Sequence, residues 1–233
     1  VPFHSPRYIG HMVSDLLIPA MAAQFLALPY NPNNVSAEAA PVTIDLEIKV
    51  GLQLAAMIGY RADPLQPDCA FGHLTSGGTL ANVQGLRLAL ALKGFPVALR
   101  AIGAPLEGVP DDDWAAFNLT PAEATTLLAR WSAWLASLQP ADCAHWQHQL
   151  AGARLETLGL ADFFTRHPQL RSPRVFAPST AHYSWSKGVK LLGLGRAQLE
   201  LIPSRSMRLN LDALEQRLHE CRLAHEPVLM TVG

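Results

Sequence analysis

The glycine-rich segment at residues 75–79, Thr-Ser-Gly-Gly-Thr, restricts the possible folds of this chain more than any other stretch. It follows a short apolar run at residues 69–74, and apolar residues then recur at helical spacings of three and four from residue 80 onward. A strand, a glycine-rich turn and a helix N-terminus in this order can bind an anion. The first N–H groups of the helix lack partners there, and the helix dipole favours negative charge.

Two glycines, Gly77 and Gly78, would let a phosphate group approach the main chain of this turn. The segment is neither a Walker loop, because it lacks Gly-Lys-Ser/Thr, nor a Gly-x-Gly-x-x-Gly turn. A tight turn that only caps a helix has the same pattern. The residues of this stretch alone therefore leave a phosphate site and a structural turn as alternatives. The hydroxyl donors that a phosphate site would use are Thr75, Ser76 and Thr79.

Composition and charge exclude several classes of protein. The chain has 233 residues, of which 49% are hydrophobic and 16% charged, so it can bury a sizeable core. Its net charge of -1 argues against a nucleic acid or an acidic membrane surface as a partner. The three cysteines form no Cys-x-x-Cys pair, so we expect no disulfide framework, no zinc site and a reducing cytoplasm.

No apolar run reaches membrane-spanning length, and no signal peptide opens the chain. Because the first residue is not Met, we expect a trimmed N-terminus or a piece of a longer protein. Residues 1–35 are rich in Pro, Asn and apolar residues and are predicted to form an irregular arm that packs on another surface, such as a second subunit.

Helices are predicted on both sides of the glycine turn. The first spans residues 41–58 and ends at Gly59. The second follows the turn and ends near Lys93, where Gly94 is the expected stop.

Residues 103–173 are predicted to be a helical insertion between two α/β units. The acidic run at residues 111–113 is predicted to be a solvated turn. Thr120 and Glu123 form a capping box that begins a helix with a Leu and Trp stripe, which is typical of a core. Another helix is predicted at residues 144–158.

Alternation of strands and helices resumes after this insertion. Strands are predicted at residues 174–178, 198–203 and 227–232, and a helix capped by Asn210 separates the last two. This order predicts an α/β fold with a mostly parallel sheet covered by helices. Ligands of such sheets lie beyond the carboxyl ends of strands, which is where both the glycine turn and the polar turn at residues 179–187 are expected.

Five segments, taken together, resemble the group II pyridoxal-phosphate decarboxylases, a family that includes glutamate, aromatic-amino-acid and tyrosine decarboxylases. Residues 75–82 and 182–187 match its two main motifs. Residues 5–11 are similar to its substrate-pocket segment, and residues 31–41 to its Asn-rich lead into the first large helix. Residues 113–121 resemble an insertion of the bacterial tyrosine decarboxylases. The motifs occur in family order along nearly the whole chain.

The resemblance implies a fold-type-I large domain at residues 36–233, incomplete at its C-terminus, with residues 1–35 as an arm that contributes to the substrate pocket and dimer contacts. It also implies pyridoxal 5'-phosphate as cofactor. The imidazole of His182 would stack on the cofactor ring and act as an acid or base near the reacting carbon. The residues implied to bind the phosphate are Ser76, Gly77, Gly78 and Thr79.

Further roles follow from the same resemblance. Ser14 would contact the cofactor, and His11 would contact the substrate at a position where glutamate decarboxylases carry an amide. Asn82 would either reach the cofactor or only cap and pack. Ser184 and Lys187 are expected to shape or solvate their turn and not to react.

Two catalytic parts of the family pattern are not found in this sequence. The family has an Asp for the pyridine nitrogen and a His-Lys pair whose lysine forms the Schiff base, and both are expected beyond residue 233. The chain's lysines match neither motif, and we expect these 233 residues alone to be inactive. Those lysines are Lys49, Lys93, Lys187 and Lys190.

The function predicted from the resemblance is decarboxylation of an L-amino acid, aromatic and tyrosine-like, by a cytoplasmic homodimer. Three alternatives stay open at this point. The chain could be a catalytically incomplete fragment, it could act on an acidic amino acid such as glutamate or aspartate, or it could be another fold-type-I enzyme such as a different lyase.

Overall fold

The computed structural model describes residues 5–8, 15–66 and 69–233. The chain forms two compact units, Val1–Leu74 and Thr75–Gly233. No helix within the described ranges is both long and apolar enough to cross a membrane.

The first unit contains two described helices, α1 (Ile18–Ala27) and α2 (Thr43–Met57). Helix α2 confirms the helix predicted here, and the chain leaves it through Gly59, whose φ of 85° suits glycine. Helix α1 corrects the prediction that the arm is irregular throughout. Pro19 lies in its first turn, where no N–H partner is required, and the alanines and leucine that follow are good helix formers.

Residues 69–74 were predicted to form a strand, but the structure shows no strand there. This segment packs on helix α2 instead of joining a sheet. A Cβ on Gly51 would lie only 2.7 Å from the main chain of Gly72, so the two backbones are in direct contact. The N–H of Leu74 donates to the Glu47 carboxylate at 3.1 Å, where a strand would use a neighbouring carbonyl.

The side chain of Glu47, on α2, contacts both residues 73–74 and Asn34, which precedes the helix. Its carboxylate accepts from the Asn34 amide at 2.7 Å and approaches Nδ1 of His73 at 3.3 Å. The hydrogen bond from Asn34, followed by that from the Leu74 N–H, holds the pKa of Glu47 below its usual value.

The second unit contains a parallel sheet whose strand order is β2-β1-β5, formed by β1 (Arg174–Pro178), β2 (Leu199–Ile202) and β5 (Val228–Thr231). Val175 lies opposite Leu199, and Phe176 opposite Thr231. The predicted parallel sheet and its three strands are thereby confirmed. A separate antiparallel ribbon pairs the remaining short strands, β3 (Ser204–Arg205) and β4 (Arg208–Leu209).

The helices of the second unit surround this sheet and form the insertion. They are α3 (Gly78–Ala101), α4 (Asp113–Phe117), α5 (Pro121–Ala136), α6 (Pro140–Ala153), α7 (Leu155–Arg166), α8 (Ser184–Leu191) and α9 (Leu211–Leu223). One core cluster joins α3, α7, α8 and the three strands. Its buried side chains include Leu86, Leu90, Phe163, Val175, Val189, Leu199 and Leu229.

Helix α3 extends past Gly94, where it was predicted to stop, and reaches Ala101 with Pro96 inside it. Tertiary packing overrides the local signals of Gly and Pro here. A Cβ on Gly94 would lie 3.1 Å from Cβ of Leu155, so the glycine allows α7 to approach closely. The helical turn after Gly94, residues 95–99, is fully buried, and this packing stabilises the extended helix.

The helices predicted within residues 103–173 are present as α4 to α7, and their role as an insertion between two α/β units stays a prediction. The capping box is present, because Thr120 accepts from the N–H of Glu123 at 3.3 Å while the Glu123 carboxylate accepts from the N–H of Thr120 at 2.8 Å. Leu127, Trp131 and Leu135 are buried, which confirms the core stripe except at Leu128, which is 46% exposed. The single helix predicted at residues 144–158 is two helices, because Arg154 has extended backbone and separates α6 from α7.

The acidic run at residues 111–113 is not simply a solvated turn. Asp112 caps α4 by accepting from the N–H of Ala115 at 2.7 Å. Asp113 is buried and accepts from Arg100 at 2.7 Å and from Nδ1 of His167 at 3.0 Å. The run therefore begins a helix and joins it to α3 and α7.

Candidate cofactor site

The glycine turn presents unpaired backbone donors at the start of α3. Within the described part of the chain, the N–H groups of residues 76–79 donate to no protein acceptor, whereas those of Leu80 and Ala81 bond to the Gly77 carbonyl at 3.0 and 3.1 Å. The Thr75 hydroxyl donates to the same carbonyl at 3.1 Å and so helps to fix the turn. Such donors at the end of a long helix suit an anion.

The two glycines leave open space above these donors. A Cβ built on Gly77 or Gly78 meets no atom within 4 Å. Both residues are exposed, as are Ser76 and Thr79, whose hydroxyls extend the donor set. A ligand could therefore contact the main chain directly, as a bound phosphate requires.

The second part of the site follows strand β1, which ends at Pro178. The chain passes through His182 and Tyr183 before helix α8 begins at Ser184. The rings of His182 and Tyr183 are tilted by 36°, with centroids 4.1 Å apart. Lys187 places its Nζ 4.3 Å from the centroid of the Tyr183 ring, so its ammonium is engaged in a cation–π contact.

Two contacts show that α3 and α8 run in the same direction. The Asn82 amide donates to the Ser184 hydroxyl at 2.7 Å, and a Cβ on Gly188 would lie 2.7 Å from Cδ1 of Leu86. A step of four residues along α3, from Asn82 to Leu86, thus matches a step of four residues along α8, from Ser184 to Gly188. The two helix N-termini consequently lie at the same end, the one that follows the carboxyl end of β1.

The glycine turn and His182 are therefore brought to the same edge of the second unit, where ligands of parallel sheets bind. Two helix dipoles place partial positive charge at this edge. Residues 76–79 and His182 are far apart in the sequence, but together they form a single candidate site.

Asn82 was predicted either to reach the cofactor or to cap and pack. Its Nδ2 donates to the Ser184 hydroxyl, so Asn82 packs on α8, and its contact with the cofactor stays a prediction. Ser184 is fully buried, and its backbone N–H donates to Nδ1 of His182 at 3.2 Å. Sequence reasoning assigned Ser184 only to the shape of its turn. The signal that could have indicated more is a serine two residues after the motif histidine, at the start of a helix.

His11 and Ser14 lie outside the described residues, so their expected contacts with substrate and cofactor remain predictions. Among the chain's lysines, Lys93 lies on α3, where its Nζ donates to the Leu119 carbonyl at 3.0 Å. Burial lowers the pKa of this ammonium. Neither Lys93 nor Lys187 projects a free amine, since both are engaged by protein groups.

The groups at this edge fit the phosphate and ring of pyridoxal phosphate. Four main-chain N–H groups, two hydroxyls and a helix N-terminus match a phosphate dianion, and no carboxylate occurs in residues 75–82 to repel it. The exposed imidazole of His182 offers a flat face for an aromatic ring. The described residues hold no cluster of three or more His, Cys, Asp or Glu side chains suited to a metal ion.

Comparison with curated proteins finds relatives of one activity. The chain is 31% identical to the L-tyrosine decarboxylase of Levilactobacillus brevis over 235 aligned positions, which cover 100% of the chain and 33% of that enzyme. It is 29% identical to the L-tyrosine decarboxylase of Enterococcus faecalis and 28% identical to that of Enterococcus faecium, again along its whole length. The chain thus spans about a third of the length of these relatives. No family model matches it.

Solved structures show the fold. The glutamate decarboxylase domain of a diaminobutyrate-pyruvate transaminase and L-2,4-diaminobutyrate decarboxylase from Vibrio parahaemolyticus matches with a TM-score of 0.58 and 19% identity, over 93% of this chain and 34% of that one. Mouse CSAD matches with a TM-score of 0.57 and 17% identity, over 97% of this chain and 33% of that one.

The chain has the α/β fold of these decarboxylase domains, which confirms the predicted fold class. Within that class it resembles the bacterial L-tyrosine decarboxylases from end to end, as its motifs predicted.

Proposed function

We propose that this chain acts in a pyridoxal-phosphate-dependent amino-acid decarboxylase, in which it binds the cofactor phosphate and covers one face of the cofactor ring. The observation that carries this proposal is the convergence of unpaired N–H groups at residues 76–79 and the His182 imidazole at one edge of the sheet. The resemblance to decarboxylases along the whole chain supports it.

The proposed reaction breaks the bond between the α-carbon and the carboxylate of the amino acid, releases carbon dioxide and leaves a proton on that carbon. Bound pyridoxal phosphate would supply the electron sink for the pair left by the departing carbon dioxide. The N–H groups at the start of α3 would orient the cofactor by its phosphate. His182 would offer a flat face to the cofactor ring and would hold or move a proton near the reacting carbon.

We propose an aromatic substrate, with L-tyrosine as the first candidate. Support comes from the relatives that cover the whole chain, all of which are named L-tyrosine decarboxylases. The acidic alternative is favoured less, because the match to a glutamate decarboxylase domain is at 19% identity and informs on fold.

We assign this activity to the whole protein and not to these residues by themselves. The four lysines of the chain do not match the family position of the Schiff-base lysine, and Lys187 contacts the Tyr183 ring. The proposed homodimer and the cytoplasmic location are parts of the same proposal.

The test uses the full-length protein that carries this chain. Purified protein should bind pyridoxal phosphate and convert L-tyrosine to tyramine and carbon dioxide faster than it converts L-glutamate. Replacing Gly78 by Val would fill the space above the free N–H groups and should weaken cofactor binding by about tenfold or more, the equivalent of one charge-assisted hydrogen bond.

Gly152→Ala is the matched control, because a Cβ at Gly152 on α6 also meets open space and lies outside the site. It should leave cofactor affinity unchanged. Wild-type protein that binds no pyridoxal phosphate, or Gly78→Val protein that binds it as tightly as wild type, would contradict the proposal.

A further inference from the structure

We propose that Asn82 and Ser184 act together as positioning residues for His182, fixing both the place of its imidazole and the nitrogen that carries its proton. This inference deepens the proposed function and rests on it for its catalytic meaning. Its structural content, however, concerns only residues of this chain.

The first link joins two distant parts of the sequence. Nδ2 of Asn82 donates to Oγ of Ser184 at 2.7 Å, across 102 positions of the chain. Ser184 has 0% exposure, so in the folded chain its hydroxyl relies on a protein partner and not on bulk water. A hydrogen bond to a buried group matters most in this situation, because its loss leaves a polar atom without a partner.

The second link fixes the histidine. The backbone N–H of Ser184 donates to Nδ1 of His182 at 3.2 Å. An N–H donor requires a lone pair on the acceptor, so Nδ1 carries no proton in this arrangement. The neutral imidazole must then carry its proton on Nε2, which points away from the Ser184 main chain.

The two links tie His182 to the helix that would also bind the phosphate. The free N–H groups belong to residues 76–79, where α3 begins, and Asn82 lies about one turn further along this helix. Because one rigid element determines both contacts, the separation between the phosphate site and the imidazole is set by α3. His182 itself is exposed, so without this anchor only the neighbouring Tyr183 ring would restrict it.

This arrangement gives Asn82 an indirect role. Through its bond to Ser184, Asn82 would position the residue proposed to cover the cofactor ring, a role that requires no contact between Asn82 and the cofactor. Removing either partner should therefore affect His182 first, and the cofactor only through it.

The direct test is the protonation pattern of His182 in the full-length protein without cofactor. Nitrogen NMR on protein labelled with ¹⁵N-histidine, assigned with a His182→Phe variant, should show the proton on Nε2 in wild type. Asn82→Ala and Ser184→Ala should each shift a measurable fraction to the other tautomer or to exchange between them. The double variant should resemble each single one, because the two changes break the same link.

Ser179→Ala is the control, since it removes a different hydroxyl contact in the same turn, to Ser204 at 3.0 Å. It should leave the His182 signals unchanged. A proton on Nδ1 in wild type, or unchanged signals in both the Asn82 and Ser184 variants, would overturn the proposal. Should Asn82→Ala fail to fold, Asn82→Asp replaces it: the Ser184 hydroxyl can donate to the new carboxylate and should keep the proton on Nε2.

The second test separates an indirect role from a direct one. Asn82→Ala should lower kcat by about tenfold while raising KM less than twofold, because geometry at the reacting carbon suffers more than substrate binding. In a His182→Phe background the same change should have no further effect on kcat or on the dissociation constant of pyridoxal phosphate. A full effect of Asn82→Ala in that background would show that Asn82 acts directly on substrate or cofactor, and would refute its role in positioning His182.

The tautomer test does not depend on the proposed function, whereas the kinetic test does. Wild-type protein that neither binds pyridoxal phosphate nor releases carbon dioxide would refute the proposed function, while the tautomer of His182 would still decide whether the link exists.

Discussion

The buried carboxylate of Asp113 is expected to contribute strongly to the stability of the fold. Asp113 is 6% exposed, and its carboxylate is satisfied by Arg100 of α3 and by Nδ1 of His167, which directly follows α7. Replacing it by Ala would remove the acceptor of Nη1 of Arg100 and of the buried His167. We expect the free energy of unfolding to fall by about 3 kcal/mol, as when one partner of a buried ion pair is removed. Urea denaturation followed by circular dichroism measures this loss.

Asp111→Ala provides the matched control two residues away. Asp111 is exposed, and it interacts with Arg100 through its backbone carbonyl, which the substitution retains. Its effect should stay within about 0.5 kcal/mol, as for ordinary surface changes. Equal urea midpoints for the Asp111 and Asp113 variants would show that the buried pair contributes nothing to stability.

Individual contacts of this kind could not be predicted from sequence. Three consecutive aspartates resemble a solvated turn, and the partners of Asp113 lie 13 and 54 positions away. The Asn82 to Ser184 hydrogen bond spans 102 positions. Motif matching predicted Asn82 and His182 as site residues, but only the tertiary structure shows that Ser184 contacts both of them.

Helix α3 is the element on which the site depends, because it presents the glycine turn and packs directly on α8. Gly188 allows this packing, since a Cβ there would lie 2.7 Å from Cδ1 of Leu86 and 3.5 Å from Cγ2 of Val83. Gly188→Ala should therefore push the helices apart. We expect a loss of about 1–3 kcal/mol of stability from overpacking, and weaker binding of pyridoxal phosphate because His182 moves with α8. Thermal denaturation and cofactor titration measure the two effects.

Gly85→Ala tests the same substitution within α3 without the clash. A Cβ at Gly85 meets nothing within 4 Å, and the residue lies in the helix interior. It should raise stability by about 0.5–1 kcal/mol, because Ala loses less backbone entropy than Gly in a helix. A Gly188 variant that is as stable as the Gly85 variant would mean that α8 adapts freely to the added methyl group.

Elements with strong local signals were predicted well. The strand at residues 174–178, the capping box of α5 and the Asn210 cap of α9 all match, because each depends on residues close together in sequence. The predictions failed where packing decided the outcome. Helix α3 continues through Gly94 and Pro96 because both face buried neighbours, and residues 69–74 pack on α2 instead of joining a sheet.

At the scale of the whole molecule, the first unit presents unusual apolar exposure. Helix α1 has no buried residue, and Ile18 and Phe25 are 78% and 71% exposed. Helix α2 likewise exposes Leu54 and Met57, and Ile58 directly after it is also exposed. Large apolar side chains exposed in such number often belong to a surface that another polypeptide covers. The predicted homodimer, with the arm at its interface, would supply such a cover.

This leads to a test of assembly in the full-length protein. We expect wild type to sediment as a dimer, and the double variant Ile18→Ser, Phe25→Ser to shift toward monomer at micromolar concentration. Burying each of these side chains stabilises association by roughly 2 kcal/mol, and twofold symmetry counts every substitution twice. Leu128→Ser on α5, at a position that is 46% exposed, should leave the dimer intact. Sedimentation velocity at several concentrations distinguishes these outcomes. A monomeric wild type would refute the dimer, and a dimer unaffected by the double variant would place the interface away from α1.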